Sequence, residues 1–135
     1  MSRKSPGHSD LLPSHTVRAL RGLDPQALRD WAQRTGQRLI EIDLGGCSDK
    51  PSVLRAIAKA FALPAWFGMN LDALYDSLTD LLDIQPAPGY VVVLDHLQHT
   101  GDFSVEQRDA LLDVFRDVVD DFAEAKIPFR VLYGP

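Results

Sequence analysis

Cysteine is almost missing: Cys47 is the single one in 135 residues, so no internal disulfide can form. A reducing, cytoplasmic setting is the expectation. No stretch approaches the roughly 20 consecutive apolar residues of a membrane-spanning helix. Residues 1–15 lack an apolar segment behind their basic start, so no secretory leader is expected either. Histidine is sparse, and His96 and His99, near Asp95, match no strong metal-ligand spacing. The turn Gly45-Gly46-Cys47 lacks the Gly-Lys-Ser/Thr ending of a phosphate loop. Ser, His and Asp form no triad pattern. These absences point to a protein without cofactor or metal, and to binding rather than catalysis.

Basic residues are scarce in one long segment. Residues 70–124 hold two, Arg108 and Arg116, against thirteen acidic ones, a net charge of −11. Residues 1–69 carry +4 and the last eleven +2, which leaves the chain at −5. A field of that sign repels nucleic acid and anionic lipid and attracts basic proteins or cations. Neither nucleic acid nor membrane is therefore an expected partner.

What is present reads as one α/β domain, long enough to bury roughly two-thirds of its unfolded surface. Residues 1–22 have little periodicity and read as a flexible tail. Asp24-Pro25 starts a helix over 23–37 with Ala27, Leu28, Trp31 and Ala32 on one face, and Gly36 stops it. Residues 39–44 alternate as a strand. Ser48 or Asp49 caps a helix whose apolar stripe is Val53, Leu54, Ile57, Ala58 and Phe61. Asn70 caps a third helix expected over 70–83. Residues 90–94 are an unbroken apolar run, as in a strand covered on both faces. A long amphipathic helix follows over 104–125, and a short strand over 129–133. Strands separated by helices predict a parallel sheet, here of three strands.

The third helix carries the clearest signal. Leu71, Leu74, Leu78 and Leu81 mark its apolar side, while Asp72, Asp76, Thr79, Asp80 and Asp83 mark the other. Like charges four apart cost about 0.2–0.5 kcal/mol each in an isolated helix. No Lys or Arg in the segment relieves them. A local conflict of this kind is expected at a functional surface. The long helix repeats it with Asp113, Asp117, Asp121 and Glu124, relieved in part by Arg116. Trp66 and Tyr75 set large amphipathic rings in or beside the acidic stripe, as protein interfaces do. Clustered carboxylates also suit a metal-dependent hydrolase, a reading that requires divalent-metal affinity.

The run Leu63-Pro64-Ala65-Trp66-Phe67-Gly68-Met69-Asn70-Leu71-Asp72-Ala73-Leu74-Tyr75-Asp76-Ser77-Leu78-Thr79-Asp80 resembles the signature of barstar-type proteins, small intracellular inhibitors of barnase-like ribonucleases. Val114-Phe115-Arg116-Asp117 is a weaker match in the last long helix. The resemblance covers residues 39–133. It implies a barstar-like domain over 38–135, preceded by an added helix over 23–37. It implies inhibition by an acidic helix and its preceding loop, which occupy the positions of RNA phosphates in a cationic active site. The partner-binding residues so implied are Trp66, Asn70, Asp72, Tyr75, Asp76, Thr79, Asp80 and Asp117, with Asp76 as the plug and Asp72 beside it. Asp83 lies beyond the matched run. The implied partner is a barnase-like ribonuclease or another cationic toxin domain, met by a monomer in the role of an immunity protein. A different basic protein is the alternative. The sequence departs from the family's namesake at Tyr75, usually tryptophan, and at Trp66, usually tyrosine. Asp80 and Leu81 replace a small residue and an aromatic, and Asp117 replaces a glutamate. These departures bear on which target is bound more than on how.

Overall fold

Each long helix begins where a short polar side chain can receive a free backbone amide. The computed structural model describes residues 13–63, 70–84, 87–98 and 102–135, and at 83 and 84 the backbone alone. Asp24 caps α1 (Pro25–Thr35), and Gly36 closes it in the left-handed conformation at φ 72°. Asp49 and Ser52 form a capping box at α2 (Lys50–Ala60), and Asn70 caps α3 (Leu71–Thr79). A four-residue helix, α4 (Leu81–Ile84), follows, and Ser104 with Gln107 caps α5 (Val105–Glu124).

The single helix expected over 70–83 is thus two, interrupted at Asp80. The Thr79 hydroxyl donates back to the carbonyls of Tyr75 and Asp76 at 3.1 and 3.0 Å, a pattern that bends helices. Asp80 also adds negative charge at the negative end of the helix dipole.

The sheet has four parallel strands, not the expected three. They are β1 (His15–Ala19), β2 (Arg38–Asp43), β3 (Tyr90–Asp95) and β4 (Phe129–Tyr133), in the order β1-β4-β3-β2. The extra strand is β1, which falls inside the segment read as a tail. It escapes sequence patterning because it is an edge strand whose only large aliphatic residue is Val17. Its place is held by the register Val17 to Val131, by Leu20 N–H donating to the Tyr133 carbonyl at 2.7 Å, and by His15 Nε2 at 3.0 Å from the Ile127 carbonyl.

Strand order decides which face each helix covers. From β1 the chain crosses the whole sheet to β2, then returns through β3 to β4. Right-handed crossovers run in opposite directions put their helices on opposite faces. On one face α1 sets Leu28, Trp31 and Ala32 against Val91, Val93 and Leu132. The other face, with Ile40, Val92 and Val131, carries the larger core built from α2, α3 and α5. Burial on both faces is why β3 is apolar without alternation. The core closes on an aromatic cluster in which Phe122 of α5 meets Tyr90 and Phe129 at centroid distances of 5.5 and 4.6 Å.

Under α1 the buried Arg130, 5% exposed as a residue, sets its guanidinium 4.9 Å from the Trp31 ring and reaches Gln37 Oε1 at 3.4 Å. Trp31→Ala should therefore cost about 3–5 kcal/mol of unfolding free energy, measured by urea titration. A cost below about 1 kcal/mol would show that α1 is not part of the folded core.

Candidate functional site

Apolar packing of α3 on α5 creates the site. Leu74 and Leu78 of α3 join Leu111, Phe115 and Val118 of α5 in one core. Burial of those sides turns the polar sides outward along a shared edge. Asp72 and Asp76, one turn apart on α3, are exposed, as is Asp117 on α5. A groove of about 360 Å³ lies here, lined by Leu71, Asp72, Tyr75, Asp76, Val114 and Asp117. Three carboxylates rim an apolar and aromatic lining with no basic residue among the described residues that form it.

The ion pairs among the described residues lie elsewhere. Arg29 pairs with Glu41 at 2.9 Å, His96 with Asp43 at 2.8 Å, and Arg108 with Asp109 at 3.6 Å. On α5, Arg116 reaches Asp113 at 2.8 Å. The groove carboxylates are exposed, and their mutual repulsion is offset by the hydrophobic core beneath them.

Tyr75 joins the two helices directly. Its hydroxyl donates to the Asp121 carboxylate of α5. That bond, followed by burial and by the charges of Asp121, Asp117 and Asp76, pushes the phenol up to about 12. The group stays protonated at any physiological pH and remains a donor.

Of the eight residues singled out in the sequence, Asp72, Tyr75, Asp76 and Asp117 meet in the groove. Asn70 stands at its end as the α3 cap, its Oδ1 accepting from the Ala73 N–H at 2.8 Å. Thr79 turns its hydroxyl proton back onto its own helix. Asp80 is exposed beyond the groove, at the α3 terminus. Trp66 falls outside the described residues. Sequence reasoning placed Asp121 in the acidic stripe of the long helix but missed its bond to Tyr75. Its one signal was the four-residue step from Asp117, which puts both on one face.

The histidine that raised the question of a metal has a different engagement. His96 Nδ1 lies 2.8 Å from Asp43 Oδ1, which also accepts from the Gly45 N–H at 2.9 Å. His99 lies outside the described residues. Among the described residues, no group of three or more His, Cys, Asp or Glu side chains is arranged to hold a metal ion. The hydrogen bond to Asp43, and then the charge of Asp95, raise the His96 pKa above the ordinary histidine value. The Gly45 amide and then His96 lower that of Asp43.

Two outcomes follow. Asn70→Ala should destabilise the protein by about 1 kcal/mol in chemical denaturation, through the lost cap. For His96 the raised folded-state pKa means that its contribution is present below about pH 6.5 and is lost as pH rises through the raised value. Stability curves of wild type and His96→Asn, which tolerates the φ of 58° at that position, should differ most below about pH 6.5, and the gap should narrow as pH rises through the raised histidine value. A difference that grows with pH would contradict this.

Comparison with known proteins gives one result. A family model described as Barstar (barnase inhibitor) matches residues 37–134. A search among curated proteins returned no significant match.

Proposed function

The chain belongs to the barstar family, and from that premise we propose that it is a protein inhibitor of a barnase-like ribonuclease, acting through the acidic edge between α3 and α5. The observation that carries this reading is the groove that gathers Asp72, Asp76 and Asp117 around Tyr75 with no basic residue among the described residues that line it. A ribonuclease of this class binds RNA phosphates with cationic side chains. Carboxylates held at a fixed separation on two packed helices present the same charge to those cations without a bond that can be cleaved.

In this reading Asp76, near the centre of α3, enters the active site, and Asp72 and Asp117 flank it. Trp66, just before α3, and Tyr75 anchor the contact with their rings. Asn70, Thr79 and Asp80 extend it along the helix. The net charge of −11 over residues 70–124 draws the enzyme in from a distance. Such an inhibitor protects the cell that makes the ribonuclease, in the manner of an immunity protein, and it needs neither cofactor nor second copy of itself.

Inhibition assays and titration calorimetry against a panel of barnase-like ribonucleases test the proposal. Stoichiometric inhibition is expected. Asp76→Ala should weaken binding by about a hundredfold or more, because partner cations are left buried and unpaired. Raising ionic strength should slow association, since exposed charges are screened beyond about 8 Å at physiological salt. Absence of binding to every ribonuclease at low salt would overturn the proposal. Binding confined to a cationic toxin domain without nuclease activity would keep the surface and replace the partner.

A further inference from the structure

Two acidic helices packed side by side, with no basic residue among the described residues that line the groove between them, can hold their polar edges in register with a polar bond in addition to the core beneath. Tyr75 supplies one. Its ring packs against the main core from α3, and its hydroxyl crosses to Asp121 on α5. Asp121 lies one turn beyond Asp117 and is half-buried, whereas Asp72, Asp76 and Asp117 are exposed. Tyr75 lines the groove and Asp121 does not. A neutral donor on one carboxylate eases repulsion between the helices at that point, as a lysine would, but leaves the net negative charge intact. It also commits the hydroxyl, so that Tyr75 has its ring to offer a partner.

Resting on the inhibitor reading, we propose that Asp121 is a positioning residue of the binding face: it fixes Tyr75, and with it the placement of Asp76 and Asp117, and does not itself meet the partner's cations. The bond makes the face rigid before the partner arrives, which lowers the ordering cost of association. The work of Asp121 is then acceptance of one hydrogen bond, not negative charge. Asparagine at 121 retains an acceptor oxygen and loses the charge, while alanine loses both.

The test uses the full chain with barnase as the probe, in a double-mutant cycle over Tyr75 and Asp121. Asp121→Asn should bind within about twofold of wild type. Tyr75→Phe and Asp121→Ala should each bind about tenfold more weakly, through faster dissociation, the loss expected for one hydrogen bond at the upper end of the ordinary range. The double variant should be no worse than either single one. If Asp121→Asn is as weak as Asp121→Ala, or if Asp121→Ala costs the same in the Tyr75→Phe background, Asp121 touches the partner and the proposal is overturned. It is overturned equally if both single variants lose stability yet bind like wild type.

NMR of the free chain gives a readout that needs no partner. The Tyr75 hydroxyl proton and ring resonances should be retained in Asp121→Asn and change in Asp121→Ala, together with the backbone resonances of Asp76 and Asp117. Asp76 and Asp117 resonances that stay fixed in Asp121→Ala would overturn the proposal. Failure of the wild-type chain to bind barnase at low salt counts against the inhibitor reading instead, and the NMR comparison then decides the positioning role alone.

Discussion

The packing of α3 on α5 is the contact on which the site depends. Leu74 and Leu78 from one helix and Leu111, Phe115 and Val118 from the other are buried together. Their burial contributes on the order of 1.5–3 kcal/mol per side chain. That exceeds the few tenths of a kcal/mol that each exposed like-charge pair costs. Carboxylates from two helices can therefore face the same groove without a counter-ion among the groove residues. The hydrophobic core supplies the driving force, and the acidic edge is held where electrostatics alone would drive it apart.

The other layers support that arrangement from behind. β3 and β4 form the platform for α5, joined to it through Phe122, Tyr90 and Phe129. α1 seals the opposite face of the same strands. Both β1 and α1 precede the family match, which begins at residue 37. They complete the sheet with a fourth strand and a second covered face. Neither is among the described residues that line the groove, but β1 packs directly against α5, the helix that carries Asp117, with Val17 against the main core, so the segment before residue 37 supports the acidic edge through that helix as well as through the sheet.

Much of this was legible in the residues, for identifiable reasons. Asp24 and Asn70 were readable as helix caps, as was one of Ser48 and Asp49, and Asp24, Asp49 and Asn70 do cap their helices. The unbroken run of β3 announced a strand covered on both sides. The eight proposed binding residues came from the family resemblance, and the helical spacing of Asp72, Asp76 and Asp117 agrees with the groove in which they meet Tyr75. β1 was illegible because an edge strand made of His, Thr, Val, Arg and Ala has almost no apolar alternation. The break at Asp80 was hidden because it depends on the Thr79 hydroxyl turning back onto its own helix. The Tyr75–Asp121 bond joins residues 46 positions apart, a distance that no local pattern can bridge.

Under the proposed function, the acidic edge of α3 and α5 is the surface a ribonuclease meets. Chemical-shift mapping of the isotope-labelled chain, titrated with a ribonuclease that it inhibits, tests this most directly. Perturbations are predicted to centre on Asp72, Tyr75 and Asp76 of α3 and on Asp117 of α5, with β1 and α1 unchanged. Perturbations centred on α1 or on the exposed edge of β2, with α3 unchanged, would contradict the account.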